Sequence, residues 1–344
     1  MKLMKGFFLT LCLMLTACNT AAPLIIPTKV VSTSGDITST TSPIISPEAA
    51  KYLNDAFDII EENSININKV NWGELRASCY PYARNAQTPA NTYLAIICAI
   101  KGLHDNHSSF ILPKPSSGLG VVTEAYTPPP VAKLIQNKFG YVVVPEYAGS
   151  YPGQFGTDMQ KQIQRIDEQH PCGWIVDLRG NTGGNMWPML IGIGPILGEG
   201  IVGSFISANG NQENWAYQDG KGLDNGQVFI EIIGRPYFLV NPNPPVAVLF
   251  DRTTMSSGEA IAISFIGRPN TRSFGGNSSG LTTANQGFPL SDGAMIILAS
   301  AVEADRTGKI YGQSIIPDVQ VASINYGAIP DEALQWLGSQ PACK

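Results

Sequence analysis

The stretch "GWIVDLRGNTGGN", residues 173–185, joins a largely apolar run to a turn that contains Gly180, Gly183 and Gly184. The run "WIVDL" is typical of a buried strand. Glycines let the backbone turn sharply and bring bare N–H groups close to a ligand. A turn of this kind is either a tight connection to a helix or a site at which backbone N–H groups bind an oxyanion or a phosphate. Because no Gly-Lys-Ser/Thr sequence follows, the stretch does not match a phosphate-binding loop.

The segments around this stretch alternate between strand and helix patterns. Strand patterns are "VAKLIQNKFGYVVVPEY" with a turn at 137–140, "GIVGSFIS", "VFIEII", "PVAVLF", "AMIILASAVEA" and "KIYG". Helix patterns are "GQFGTDMQKQIQRIDEQH" and a segment that begins at Glu259. Strands that alternate with helices predict an α/β core.

A helical region precedes this core. "SPEAAKYLNDAFDIIEENS" begins with Ser46 as N-cap and Pro47 in the first turn, and its apolar residues recur at helical spacing. "NWGELRASCYPYA" and "TPANTYLAIICAIKGL" predict two more helices. The expected organisation is a signal peptide at 1–18, a flexible tether at 19–46, a helical subdomain at 47–112, a loop at 113–130, an α/β core at 131–325 and a C-terminal helix or tail at 326–344.

A second stretch with candidate catalytic residues is "DRTTMSSGEA", residues 251–260, which lies between two apolar runs. Ser256 followed three residues later by Glu259 forms a capping-box pattern at a helix start. The same strand-to-helix junction suits a nucleophilic serine, since its side chain projects from the sheet edge beside the N–H groups of the helix. Both interpretations are compatible with these residues taken alone.

A nucleophilic serine needs a base. The chain has three histidines, and His170 fits a cap at the end of a helix before a proline. His104 and His107 lie in "GLHDNHSSF", a polar turn after the third helix. A lysine with a lowered pKa is the other possible base.

The order "LHDNHSSF", "GWIVDLRGNTGGN", "DRTTMSSGEA" and a final "IIPD" resembles the tail-specific, or C-terminal processing, serine peptidases, and within them the branch of the tricorn protease core. The resemblance runs over about residues 47–325. It implies a crotonase-like β-β-α core with an N-terminal helical subdomain. It also implies Ser256 as nucleophile, an oxyanion hole formed by Ser257 with the Gly183–Gly184 turn, and His107 as base.

The resemblance also shows where this chain departs from the family. Members that use a lysine base carry it after the "FG" of an "SFG" stretch, but Gly276 stands there, so a lysine base is not expected. The tricorn-like branch orders its site with a glutamate near the final "PD", for which Glu303 and Asp305 are the candidates here. Many members also insert a peptide-binding PDZ domain after the histidine, whereas the segment 113–130 is too short for one.

The first residues predict export and lipidation. Two lysines, a short apolar run and "LTAC" match a lipoprotein signal, in which Cys18 receives the lipid. The apolar run is too short to cross a bilayer as a helix. A lipid would tether the protein to a membrane of the bacterial cell envelope, with the outer membrane or periplasm favoured in a Gram-negative host.

Charge and cysteine content exclude some classes of function. Loss of Lys2 and Lys5 with the signal changes the net charge from −5 to −7, which disfavours nucleic acid as a partner. Cys79, Cys98, Cys172 and Cys343 lack the spacing of a zinc site. No metal and no cofactor are expected. An oxidising compartment would allow two disulfides, although free buried thiols explain the cysteines equally well.

The sequence thus predicts an exported, membrane-anchored serine peptidase that acts on proteins or peptides. The alternative is a lipoprotein that keeps the fold but only binds peptides or apolar ligands, because a fold alone does not decide function. An esterase for small acyl substrates is a third possibility.

Overall fold

The computed structural model describes residues 45–113, 127–321 and 328–344. Its helices, in chain order, are α1 (Pro47–Asn63), α2 (Trp72–Cys79), α3 (Tyr93–Lys101), α4 (Pro152–Asp167), α5 (Met186–Leu197), α6 (Ser257–Phe265) and α7 (Asp331–Ser339). Short 3₁₀ turns lie at Tyr80–Ala83, Pro89–Thr92 and Pro341–Cys343.

The strands, in chain order, are β1 (Ser109–Ile111), β2 (Val131–Ile135), β3 (Phe139–Val143), β4 (Gly173–Asp177), β5 (Gly200–Ser207), β6 (Gln212–Gln218), β7 (Lys221–Asp224), β8 (Gln227–Glu231), β9 (Val246–Phe250), β10 (Thr271–Gly275), β11 (Thr283–Pro289), β12 (Met295–Asp305) and β13 (Val319–Gln320).

One sheet, here called the core sheet, has the strand order β13-β10-β9-β4-β3-β2. Its pairs are parallel except for the outer hairpin of β2 with β3. Every residue of β4 and β9 is buried, as expected of parallel strands covered on both faces. The turn after β4 and the serine stretch after β9 therefore emerge side by side at one edge of this sheet.

The other sheet, here called the second sheet, is built around the long strand β12. β1 and β5 pair with one edge of β12 and β11 with its other edge, and β6, β7 and β8 extend the sheet from β5. The N-terminal helices bury their apolar faces against it, so that Leu53 and Ile96 share a core with Ile296 and Leu298. The predicted α/β fold with an N-terminal helical region is confirmed.

Several elements were not predicted from the sequence, and one predicted strand is absent from the described residues. The apolar run at 186–197 is α5, a helix buried along its whole length, and such a helix has no polar face to reveal its period. The polar strands β6 and β11 have little apolar alternation and become strands by pairing with their neighbours. "KIYG" does not form a strand; Ile310 makes only an isolated bridge to Ala304.

Both disulfides that the cysteine count allowed are present. Cys79 pairs with Cys98 inside the helical region, and Cys172 pairs with Cys343, which ties the C-terminal turn to the start of β4. The second disulfide joins two cysteines that are 171 positions apart in the sequence. On a chain-entropy argument, a loop of that length stabilises the fold by about 5 kcal/mol.

The predicted signal peptide, with Cys18, and nearly all of the predicted tether lie outside the described residues, as does most of the predicted loop at 113–130. Within the described ranges, no helix has the length and apolar character needed to span a bilayer.

Candidate active site

Ser256 connects β9 to α6 in an unusual backbone conformation. Its φ is 49° and its ψ is −122°, a combination that side-chain-bearing residues rarely adopt. Such a conformation costs about 1–3 kcal/mol and persists only where surrounding contacts hold it, most often at functional sites. Ser256 thus lies at the strand-to-helix junction, where the sequence analysis expected a nucleophile.

The Glu259 carboxylate holds this conformation from inside the protein. Its Oε2 accepts the Ser256 N–H at 2.9 Å, and the side chain has no exposed surface. Its oxygens also accept from Ser278 Oγ at 2.5 Å, Gly280 N–H at 2.8 Å and Leu281 N–H at 2.8 Å. Burial raises the pKa of Glu259, and these hydrogen bonds oppose the increase. The carboxylate thus joins the serine to the segment that leads into β11.

The glycine turn lies directly against the serine. A Cβ added to Gly183 would meet the Ser256 Cβ at 2.9 Å, and the Ser257 hydroxyl donates to the Gly184 carbonyl oxygen at 2.7 Å. Gly183 and Gly184 have φ values of 106° and 95°, in the region that favours glycine. The structure therefore brings together four of the predicted site residues: Ser256, Ser257, Gly183 and Gly184.

The two glycine N–H groups differ in their partners. The Gly183 N–H donates to Asn181 Oδ1 at 2.9 Å. Among the described residues, neither the Gly184 N–H nor the Ser257 N–H has an acceptor. Both N–H groups are therefore without a protein partner within these residues.

Asn181 is a site residue that the sequence analysis did not single out. It is 1% exposed; its carbonyl accepts the Met255 N–H at 2.9 Å, and its side chain bonds both Gly183 and the Val144 carbonyl. It therefore fastens the glycine turn to the serine stretch. An Asn beside a glycine in a loop is so common that its identity alone carries no signal for this role.

His107 lies in the turn between α3 and β1, half-buried. Asp105 organises the turn, since its Oδ1 accepts the N–H groups of His107 and Ser108 at 3.0 and 2.7 Å. Burial lowers the pKa of His107 below 6.5, although the charge of Asp105 opposes this decrease. The imidazole is therefore neutral at physiological pH, which is the form that accepts a proton.

The partner of the His107 ring is Thr283, the first residue of β11. His107 Nδ1 and Thr283 Oγ1 are 2.6 Å apart, and this contact orients the ring. Among the described residues, no hydrogen bond joins His107 directly to Ser256. The connection runs through Thr283 and the preceding segment 278–281 to Glu259, which bonds the Ser256 N–H.

Neither candidate orienting carboxylate bonds the His107 ring. Asp305 shapes its own turn, because it accepts from Thr307 at 2.6 Å and from the Tyr311 hydroxyl at 2.8 Å. Glu303 is 2% exposed, and its Oε2 has no hydrogen-bond partner among the described residues. Burial, and secondarily the nearby Glu259 charge, hold the pKa of Glu303 well above its usual range.

A cavity of about 990 Å³ opens beside the His107 turn. Thr283 lines it, together with Asp105 and Asn106 from the turn. Lys69, which follows α1, and Lys309, which follows β12, also line it. Over the described residues, no group of three or more histidine, cysteine or acidic side chains is arranged to hold a metal ion. Neither Ser256 nor His107 is among the described residues that line this cavity.

Known proteins resemble this chain over most of its length. A "Nisin-resistance protein" of Lactococcus lactis subsp. lactis is 29% identical over 300 residues, covering 86% of this chain and 89% of the relative. A lipoprotein from Streptococcus agalactiae superposes with a TM-score of 0.68 at 23% identity, covering 86% and 98% of the two chains. A photosystem II D1 C-terminal processing protease superposes with a TM-score of 0.60 at 16% identity, covering 87% and 99%. These two structural similarities concern the fold.

The sequence of the α/β core identifies the protein family. Residues 138–321, more than half of the chain, match "Peptidase family S41". The matched segment contains the glycine turn, the serine stretch and Glu259, and the predicted resemblance is confirmed at the level of the family. The chain therefore belongs to peptidase family S41 and is a serine-type peptidase.

Proposed function

We propose that this protein is an exported, lipid-anchored peptidase in which Ser256 is the nucleophile and His107 the general base. The observation that carries the proposal is the strained backbone of Ser256, held by a buried carboxylate and packed against a glycine turn. Strain of this kind persists where function requires it. The two free N–H groups beside it supply what acyl transfer needs next.

The reaction begins with attack of Ser256 Oγ on the carbonyl carbon of the substrate. His107 Nε2 takes the hydroxyl proton, because Nδ1 is engaged with Thr283. The carbonyl oxygen becomes an oxyanion and accepts the N–H groups of Gly184 and Ser257. One lost donor in such a site typically costs about 2.7–4 kcal/mol of transition-state stabilisation.

The tetrahedral intermediate then collapses. The C–N bond breaks, and the His107 imidazolium returns its proton to the departing amine. Water next attacks the acyl-enzyme with His107 as base, and the Ser256 hydroxyl is restored as the acid product leaves.

The lowered pKa of His107 supports this role, since a base must be neutral when the substrate arrives. Thr283 takes the place at Nδ1 that a carboxylate was expected to take. A hydroxyl orients the ring but adds no full negative charge to stabilise the imidazolium. We therefore expect slower turnover than in an enzyme with a buried carboxylate at this position.

The relatives suggest where the enzyme works and on what. The Lactococcus relative carries a name that refers to nisin resistance, so nisin is the first substrate to test. Two disulfides fit an oxidising compartment, and a structural neighbour is a lipoprotein. Replacement of Cys18 by Ala should release the protein from membranes, and an unchanged membrane fraction would contradict the anchor.

A fluorophosphonate probe tests the catalytic proposal, because it labels activated serines. Ser256→Ala and His107→Ala should each abolish labelling and nisin or casein hydrolysis. Ser339→Ala, at an exposed serine on α7, should label like the parent. Folded parent protein that is not labelled would instead favour the non-catalytic binding function, and hydrolysis of p-nitrophenyl esters without casein or nisin cleavage would favour an esterase.

A further inference from the structure

The C-terminal segment, residues 328–344, packs on one face of the core sheet. Leu337 of α7 has no exposed surface and shares a hydrophobic core with residues of β4 and β9. The disulfide between Cys172 and Cys343 joins the end of the segment to the residue that precedes β4. The match to the peptidase family ends at residue 321, before this segment begins. A part of the chain outside the family match is therefore fixed to the central strand of the core sheet.

The beginning of the segment makes a contact at the other end of β4. The Ala328 carbonyl oxygen accepts a hydrogen bond from Arg179 Nη1 at 2.8 Å. The other two nitrogens of the guanidinium, Nε and Nη2, donate to the two carboxylate oxygens of Asp177 at 2.8 and 2.5 Å. Only 5% of the Arg179 side chain is exposed. Each nitrogen of this nearly buried cation thus has a partner, and the C-terminal segment supplies one of them.

Arg179 stands at the start of the turn that carries the candidate oxyanion donors. Its backbone N–H donates to Asp177 Oδ1 at 3.0 Å, so the carboxylate that binds the guanidinium also fixes the backbone there. Two residues later, the Asn181 carbonyl accepts the N–H of Met255, the residue before the candidate nucleophile. Asn181 Oδ1 accepts the Gly183 N–H. A displacement at Arg179 would therefore pass directly to the residues that hold the serine and the glycine turn together.

The Ala328 carbonyl matters because a nearly buried charge needs all its hydrogen-bond partners. An unpaired donor on a buried charged group costs free energy, since it has given up water without a replacement. If the C-terminal segment moved away, Arg179 Nη1 would lose its acceptor. The side chain would then turn towards water and release Asp177. The start of the glycine turn would lose the contact that fixes it.

We propose that the C-terminal segment is a positioning element for the glycine turn and that Arg179 is the positioning residue through which it acts. The inference rests on the proposed function, because it concerns the oxyanion donors of that mechanism. The Cys172–Cys343 disulfide keeps the segment in place. Activity therefore depends on this disulfide, although it lies at the opposite end of β4 from the turn.

Hydrogen exchange followed by mass spectrometry tests the positioning without any turnover. Arg179→Lys keeps a positive charge beside Asp177 but removes the planar fork that also reaches Ala328. Amides of residues 178–185 should exchange about tenfold faster in this variant than in the parent, because the turn opens more often. The double variant Cys172→Ser/Cys343→Ser frees the segment from the other end and should have the same effect.

Two matched controls remove similar contacts elsewhere. Arg165→Lys removes a guanidinium bond from α4 to the Ala132 carbonyl of β2. Cys79→Ser/Cys98→Ser removes the disulfide of the helical region. Neither change touches the C-terminal segment, so exchange of the turn should stay at the rate of the parent in both.

Kinetics then separate positioning from a merely structural role. At a temperature at which each variant is folded, Arg179→Lys should lower kcat about three- to tenfold and leave KM within about twofold, because the turn binds the oxyanion only in the transition state. Cys172→Ser/Cys343→Ser should do the same. When the changes are combined, the loss should equal that of the larger single effect, since both break one link. A merely structural role would lower Tm and leave kcat unchanged.

The outcomes distinguish this inference from the proposed function. Faster exchange of the turn in Arg179→Lys and in the double cysteine variant, with unchanged controls, supports the positioning even if Ser256 proves inactive. Unchanged exchange in both variants, unchanged kcat in an active enzyme, or losses that multiply on combination would overturn it even if the fluorophosphonate test succeeds. If the double cysteine variant does not fold, Arg179→Lys decides alone, because it retains both disulfides.

Discussion

The two halves of the candidate site are built in different ways. Ser256 and the glycine turn follow the adjacent parallel strands β9 and β4, and buried Asn181 and Glu259 fasten them in place. His107 comes from a turn beside the helical region, and its ring is oriented by the single hydroxyl of Thr283. The difference teaches that the proposed nucleophile and oxyanion site depend on the core sheet itself, whereas the proposed base depends on a few contacts between separate parts of the chain.

The largest expected effect is at the glycine turn. In Gly184→Ala, the new Cβ would lie 2.1 Å from the Tyr147 carbonyl oxygen, at a φ of 95°. The turn must move, and its N–H leaves the oxyanion site, so kcat/KM should fall about 100-fold or more. Gly180→Ala in the same loop is the matched control, since its φ of 78° is similar but nothing lies within 4 Å of the new Cβ. Equal losses in both variants would show that backbone strain, not the oxyanion donor, matters.

The next largest effect is expected at Glu259, which links Ser256 to the segment leading to Thr283 and His107. Glu259→Gln keeps the shape of the side chain but turns an acceptor of four hydrogen bonds into an amide with one acceptor oxygen. We expect a loss of about 2–4 kcal/mol in the free energy of unfolding, measured in urea, and about a tenfold loss of kcat. Glu199→Gln, which affects one exposed contact to the Asp219 N–H, should cost little. Retained activity in Glu259→Gln would mean that the two halves are independent.

A smaller effect is expected at the base. Thr283→Val removes the hydroxyl from His107 Nδ1 and keeps the size of the side chain. Loss of one neutral hydrogen bond should lower kcat about three- to tenfold with KM nearly unchanged. Thr283→Ser restores the hydroxyl and should restore most of kcat. No change in Thr283→Val would show that another group orients the imidazole.

The lowered pKa of His107 predicts how the reaction depends on pH. Since burial lowers the pKa of the imidazole, it stays neutral to more acidic pH than an exposed histidine does. The acidic limb of the plot of kcat/KM against pH should therefore have its midpoint below 6.5, the ordinary value. A midpoint above 6.5 would contradict the burial of this ring.

The smallest expected effect is on stability at Glu303. The folded state raises the pKa of this buried carboxyl above 4.5, so folding is not penalised below that pH. Above it, the unfolded chain ionises Glu303 more readily than the folded protein does, and stability decreases as the pH rises. Glu303→Gln mimics the protonated acid and should raise Tm by about 2–4 °C at neutral pH, with a smaller difference in acid. A lower Tm at every pH would mean that Glu303 is ionised and bonded in the folded state.

Much of the fold could be predicted because its signals are local. Uninterrupted apolar runs such as β9 can form buried strands, and the spacing of apolar residues in α1 identifies a helix. The polar strand β11 could not be predicted, because its conformation comes from pairing with β12. The same limit applies to the site. Serine at a strand-to-helix junction is visible in the sequence, but the contact of His107 with Thr283 joins residues 176 positions apart.

The sequence by itself determined the alternation of strands and helices, the glycine turn after β4 and the serine at the start of α6. Each of these features depends on the conformational preferences of neighbouring residues. A short segment of the sequence is therefore enough to predict it. Only the tertiary structure decided which cysteines pair, which hydroxyl orients His107 and which N–H groups the Glu259 carboxylate binds. Each of these contacts joins distant positions, and such positions meet only when burial of the two apolar cores brings their elements together.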